Sequence, residues 1–367
     1  MLILIYSFSI PFTILTFFSD AFLRGIKRFN YYVKITIVNS ILVTSIMIIL
    51  VFLWGVYGIA IGLVVTSLLT FLNFIFFIKR GRLIEFKKIF ISKMIDNVHF
   101  KSLLKIGFGA LLIGLASYFT IIFLRSEIIR FLGLQSNGLY QTVYSISINY
   151  LNIFFTTAAV YTIPILSELK SKELMNSEIN SFLRIVFIVI VPILTTIFVF
   201  REYIILILFS QDFLDSAELF FFNFLGDFAR LIGTVFGLWL IPANRIKALI
   251  LINFSYNGLY IISFFIILFY LNLGLVSITI AYFIANVIFF FLNWGYMRKS
   301  NSFKFTKINL QLLLMSSSIT LTIFIVSNYY PYLGYILIVP VIIVWFFIAI
   351  KKDEYLKIKE FVINKIR

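Results

Sequence analysis

Eleven long, almost wholly apolar stretches follow one another along the 367-residue chain, with only short connections between them. They run at 1–20, 33–53, 57–78, 103–124, 134–163, 180–200, 217–241, 246–270, 274–297, 308–327 and 332–350. A helix crosses a bilayer with ~20 apolar residues. A water-soluble domain has no interior large enough to hide eleven such segments. The fold class expected is therefore an all-α polytopic membrane protein with about 11 transmembrane helices. The first stretch lacks a basic start and a small-residue cleavage site, so it reads as a membrane helix rather than a removable leader.

The charged residues orient these spans. Alternate connections carry Arg24, Lys27, Arg28 and Lys34, then Lys79 to Lys101, Lys170 and Lys172, Arg245 and Lys247, Arg298 to Lys307, and a basic tail from Lys351. The intervening connections hold Arg125, Arg130 and Arg201 as their basic residues, beside Glu127, Glu202, Asp212, Asp215 and Glu218. By the positive-inside rule the first set is cytoplasmic, which puts the C-terminus inside and Met1 outside. The net charge of +16 is then an orientation signal, reinforced by contact with anionic membrane lipids, and no nucleic-acid partner is expected. The chain has no cysteine and one histidine, His99, in a basic connection. A metal site and thiol chemistry are not expected, nor is a cofactor. No phosphate-binding glycine loop or HExxH pattern occurs, so an enzyme is not expected.

One span breaks the apolar rule. Phe220 to Pro242 contains Asp227 and Arg230, three residues apart and so on one helix face, with Gly226 just before them. If the helix enters near Ala217, the two charges lie ~15–20 Å deep, near the bilayer centre. Charge there costs at least ~2.5 kcal/mol per residue, so it needs a partner or a water-filled cavity. Two readings stay open: a self-neutralised pair that packs helices, or a pair lining a transport path. The span 134–163 is also unusually polar, with Gln141, Tyr144, Ser145, Asn149, Tyr150 and Asn152. An aqueous face and interhelical hydrogen bonding both account for it. Asn253, Tyr256, Asn257 and Tyr260 repeat the pattern more weakly, and tyrosines near helix ends are expected as interfacial anchors.

Residues 28–80 and 247–299 align without a gap at an offset of 219. Gly55 meets Gly274, Gly58 meets Ser277, Gly62 meets Ala281, and Lys79-Arg80 meets Arg298-Lys299. Such a parallel repeat implies two helical-bundle lobes related by an axis along the membrane normal. The span 217–241 then matches 1–20. The helices at 103–124, 134–163 and 180–200 have no counterpart, so the first lobe is expected to be incomplete, short of its three opening helices. The domains expected are a remainder of the N-lobe at 1–80, a basic cytoplasmic linker at 81–102, a C-lobe at 103–300, and two additional helices with a basic tail at 301–367.

Three stretches resemble a known family: LRGIKRF (Leu23–Phe29) before a helix pair with the turn VYGIAIG (Val56–Gly62), the segment Gly138–Leu169 with its Tyr-x-x-Pro-x-Leu-Ser exit, and LGDFAR (Leu225–Arg230). In this order and spacing they are similar to bacterial O-antigen (Wzx-type) flippases of the multidrug/oligosaccharidyl-lipid/polysaccharide exporter superfamily. Ile148 departs from the acidic residue of the branch that moves enterobacterial common antigen. The resemblance implies a bacterial inner-membrane transporter that flips an undecaprenyl-pyrophosphate-linked oligosaccharide, such as an O-antigen unit, by alternating access. Polysaccharide polymerase and chain-length machinery are implied partners. Pyrophosphate calls for bidentate cations; Arg230, Arg24 and Arg28 are the candidates. Asp227 is the candidate counter-ion or coupling group, and Gln141, Tyr144, Asn149 and Asn152 are candidates to face the sugar. The alternatives are a drug/cation antiporter of the same superfamily and a membrane polymerase or glycosyltransferase. The antiporter predicts more intramembrane carboxylates, and the enzyme predicts acidic motifs or a large outer loop.

Overall fold

A computed structural model of the chain describes residues 6–25, 29–80, 97–151, 159, 162–169 and 171–350. Among the described residues, eight helices are long and apolar enough to cross a membrane. One of these, over Tyr31–Arg80, holds two of the expected spans. The span expected at 134–163 is described to residue 151, and the first span forms a shorter apolar helix. The molecule is a polytopic helical membrane protein in two compact units, Met1–His99 and Phe100–Arg367.

In the first unit, α1 (Ser9–Gly25) packs on α2 (Phe29–Arg80). Helix α2 is interrupted at Gly55, whose φ of 54° and ψ of −128° belong to no helix. Only glycine adopts that conformation cheaply, because it has no Cβ to clash. The chain reverses there, so that Met47 faces Gly62 and Asn39 faces Asn73. Past the turn, Gly58 lies against the backbone of Leu50, an approach a side chain would block. Leu23, Ile35, Phe74 and Ile78 form the core where α1 meets both arms.

Helix α3 (Asn97–Leu132), which belongs to the second unit from Phe100 on, is longer than the sequence suggests. His99, Arg125, Glu127 and Arg130 all lie on the helix rather than in connections. Charges at a helix end do not stop it, and the stop comes at Gly133 with φ 89°. There follow α4 (Leu134–Tyr144), continued by a π-helical turn at Ser145–Tyr150, then α5 (Lys172–Val199) and α6 (Arg201–Leu208). A 3-10 segment at Gln211–Leu219 leads into α7 (Phe220–Gly237). The unit closes with α8 (Ile246–Ile266), α9 (Val276–Asn301), α10 (Lys307–Tyr329) and α11 (Pro331–Ala349).

Side-chain contacts fix the helix directions. Helices α3 and α8 run parallel, with Ser117 against Asn257, Phe123 against Phe265 and Phe131 against Phe269. Helices α7 and α9 run parallel too, with Gly226 under Tyr282, Gly233 under Phe290 and Gly237 under Asn293. Helices α8 and α9 are antiparallel, with Tyr256 beside Phe289 and Tyr260 beside Tyr282. These directions are the ones that alternating connections require.

Helices α10 and α11 are fastened to α5 by aromatic and polar contacts. Phe198 and Phe324 stack with ring centres 4.0 Å apart. Pro192 has no N–H, so the Ile188 carbonyl one turn earlier loses its helical donor. The indole Nε1 of buried Trp345 donates to that carbonyl at 3.0 Å. The proline thus creates the acceptor that docks α11. Asn180 and Asn309 join α5 to α10 by amide bonds of 2.7 and 2.9 Å.

Candidate functional site

Helix α7 is the most enclosed of the apolar helices, and its charge pair is the centre of a polar cluster. Gly226 makes the enclosure possible. A Cβ there would come within 2.6 Å of the Tyr282 ring, so the glycine lets α9 lie directly on α7. From that position the Tyr282 hydroxyl donates to Asp227 Oδ1 at 2.9 Å. Ser147 Oγ donates to the same oxygen at 2.8 Å, and Asn223, one turn back on α7, donates to Oδ2 at 3.3 Å. Arg230 completes the set, with Nε donating at 3.1 Å and Nη2 at 3.0 Å from Oδ1. Asp227 is fully buried, whereas Arg230 keeps 16% of its side chain exposed.

Ser147 reaches the pair because of the π-helical turn. In an α-helix the Leu151 N–H would bond to the Ser147 carbonyl. Here it bonds to the Ile146 carbonyl at 3.3 Å. The Ser147 carbonyl, without that α-helical donor, accepts from Arg230 Nη2 at 3.3 Å. Three elements therefore meet on one ion pair: the π turn after α4, the middle of α7, and α9. Four donor residues hold the buried carboxylate in one place, and the neighbouring guanidinium lies against it.

Around this pair lies a belt of tyrosines. The Tyr140 and Tyr260 hydroxyls are 3.1 Å apart, and the Tyr260 and Tyr282 rings are 5.7 Å apart. Tyr140, Tyr260 and Tyr282 are buried. Each hydroxyl has an internal partner and needs no headgroup water.

The other sequence candidates are more dispersed. Gln141 and Tyr144 are half-buried on α4, where Gln141 Nε2 donates to Ser145 Oγ at 2.7 Å. Asn149 is exposed. Arg24 lies in the last turn of α1, its side chain outside what the structure describes, and Arg28 and Asn152 lie outside the described residues. The polar character of this span thus divides between bonds to other helices, at Tyr140 and Ser147, and an exposed amide. Among the described residues no three His, Cys, Asp or Glu side chains come together. A feature that sequence reasoning missed is a groove of 330 Å³ within the first unit, walled by Thr16, Asp20, Thr36, Asn39, Ser40 and Thr70. Its residues come from three different spans, and spacing along one span gives no sign of it.

The architecture recurs in solved helical membrane proteins. The chain is similar in structure to a MATE protein in its bent conformation, with a TM-score of 0.66 and 15% identity, over 83% of this chain and 67% of that one. It is likewise similar to the lipid II flippase MurJ in an inward closed conformation, with a TM-score of 0.62 and 19% identity, over 94% of this chain and 72% of that one. Residues 1–218 match the polysaccharide biosynthesis protein family, to which the chain belongs. The lipid III flippases of Escherichia coli (strain K12) and Shigella flexneri are each 30% identical to it over 118 residues. That match takes in 32% of this chain and 28% of each relative.

Proposed function

We propose that the chain moves a lipid-linked saccharide precursor across the bacterial inner membrane, with Arg230 as the cation that receives the pyrophosphate and Asp227 as its resting counter-ion. The observation that carries this reading is the unequal burial of the pair. The carboxylate is fully enclosed and bonded by four donor residues, while the arginine side chain is 16% exposed. A pyrophosphate offers more oxygens than a carboxylate for bidentate bonds, so it competes with Asp227 for the guanidinium. Asp227 keeps its bonds to Ser147, Asn223 and Tyr282 while Arg230 is engaged elsewhere. The family membership and the flippase relatives support the lipid-linked class of substrate.

The finer reading is an undecaprenyl-pyrophosphate-linked unit of a surface polysaccharide such as O-antigen, carried by alternating access. In it Arg24 and Arg28 meet the substrate at the cytoplasmic mouth, and Gln141, Tyr144, Asn149 and Asn152 face the sugar. The C-terminus is cytoplasmic, anionic lipids contact the basic connections, and the polysaccharide polymerase and chain-length machinery receive the product. The test is complementation of a surface-polysaccharide defect by the full-length protein. Arg230→Ala abolishes complementation while membrane expression persists. Normal polysaccharide in that variant would remove Arg230 from the path.

A further inference from the structure

The three arginines on the side assigned as external each lie over an aromatic ring, and they differ in their polar partners. Arg130 is 3.7 Å from Glu127, with 71% of its side chain exposed. Arg201 donates Nη1 to the Phe198 carbonyl at 3.0 Å, although its Nε, like that of Arg125, is buried with no acceptor. Arg125 has neither arrangement. Its guanidinium lies over the rings of Tyr144 and Tyr140, 4.8 and 5.8 Å from their centres. Its Nε is buried with no acceptor, and no carboxylate pairs with it among the described residues. Stacking on aromatic faces offsets part of the cost of desolvating a guanidinium and leaves its N–H groups without acceptors from the rings. A cation held this way lacks an anion. One turn before Tyr144 on the same helix, Gln141 has a buried amide oxygen with no donor.

Arg125 also lies at a useful depth. Lys105 and Arg125 stand near opposite ends of α3, about 30 Å apart along the axis, which is the thickness of a hydrocarbon core. Arg230 belongs to the middle of α7. The tyrosines join the two positions: Arg125 rests on Tyr140, Tyr140 bonds to Tyr260, Tyr260 packs on Tyr282, and Tyr282 bonds to Asp227.

We propose that Arg125 is a second pyrophosphate-binding cation, at which the substrate's anion rests between Arg230 and the membrane surface opposite Lys105. The Gln141 amide oxygen accepts from a hydroxyl next to that anion. This rests on the reading of the chain as a transporter of lipid-linked saccharides. Two cations at different depths divide one long crossing of a charged group into two shorter moves, each ending on a guanidinium.

The test uses the full chain in phosphatidylcholine nanodiscs and needs no variant at first. Arginines are labelled with phenylglyoxal and mapped by mass spectrometry, with undecaprenyl pyrophosphate, undecaprenol, inorganic pyrophosphate or phosphatidylglycerol added. Undecaprenyl pyrophosphate slows labelling of Arg125 about fivefold or more, and the other three do not. Arg125→Gln then binds undecaprenyl pyrophosphate about tenfold more weakly than the wild type, and Arg125→Lys falls between them. Protection of Arg230 with unchanged labelling of Arg125 and wild-type binding by Arg125→Gln overturns the second site and leaves the first reading standing. Equal protection of Arg125 by inorganic pyrophosphate or phosphatidylglycerol overturns the assignment to the carrier lipid. Absence of any binding by the wild type overturns both.

Discussion

The hairpin within Phe29–Arg80 and the hairpin of α8 and α9 turn on glycines in the same register, Gly55 and Gly274, with φ of 54° and 55°. Their polar residues are used differently. In the first, Asn73 donates to Asn39 across the arms at 2.7 Å, and Thr66, Ser67 and Thr70 bond to their own backbone. The remaining polar edge lines an open groove of 330 Å³. In the second, Tyr260 and Tyr282 are buried and lead inward to the Asp227–Arg230 pair. The positions corresponding to that pair in the first unit are Phe8 and Pro11. The shared turn therefore fixes how two helices reverse and pack. Which residues the arms carry decides whether the polar surface opens as a groove or closes on an ion pair.

The comparison is broken most severely at the pair itself. Asp227→Ala leaves Arg230 beside a cavity with no counter-ion, and removing one partner of a buried ion pair costs ~3–5 kcal/mol. The corresponding Phe8→Ala, at a side chain 69% exposed, costs within about 0.5 kcal/mol. Melting of the purified protein in one fixed detergent, followed by tryptophan fluorescence, reads both. Equal melting of the two variants would mean that the pair carries no structural load. A smaller effect is expected at the close approach. A Cβ at Gly58 meets the Leu50 backbone, which cannot swing aside as a side chain can, so Gly58→Ala costs about 1–3 kcal/mol. The equivalent Ser277 already carries a Cβ, and its buried hydroxyl has no partner. Ser277→Ala is therefore neutral or slightly stabilising in the same assay. A loss at Ser277 as large as at Gly58 would show that the two crossings are equally tight.

The parts of this architecture that depend on neighbours in sequence were readable from it. Apolar length marked the spans, the offset of 219 marked the shared turn, and the three-residue spacing put Asp227 and Arg230 on one face. The rest depends on contacts across the fold. Ser147 and Tyr282 supply donors to Asp227 from 80 and 55 residues away, and neither stands out in its own span. The π turn changes the hydrogen-bond register without changing hydropathy, so nothing local announces that the Ser147 carbonyl turns to Arg230. Tyr140, Tyr260 and Tyr282 belong to three different spans, and only the packing of α4, α8 and α9 shows that their hydroxyls find partners inside the fold. Arg125 was readable only as an orientation charge until its stacking on Tyr144 was visible.

The finest distinction between the hairpins is the bond from Asn73 to Asn39. The second hairpin has Gly258 and Leu292 at those positions and holds together without such a bond. If the bond is a local fastening of the first hairpin, Asn39→Leu and Asn73→Leu each cost ~1 kcal/mol, because each leaves the other amide short of its partner. The double variant costs less than the sum of the two. The coupling from the double-mutant cycle is ~0.6–1.7 kcal/mol, the range for polar contacts between membrane helices. Asn39 also walls the groove, so its loss has a second consequence that Asn73, which is not a wall residue, does not share. A cysteine placed at Thr36 reports on it: thiol labelling there changes in Asn39→Leu and stays constant in Asn73→Leu. Additive melting effects would show that the amides do not depend on each other for stability, and the first hairpin would then be held, like the second, by its turn and its apolar contacts.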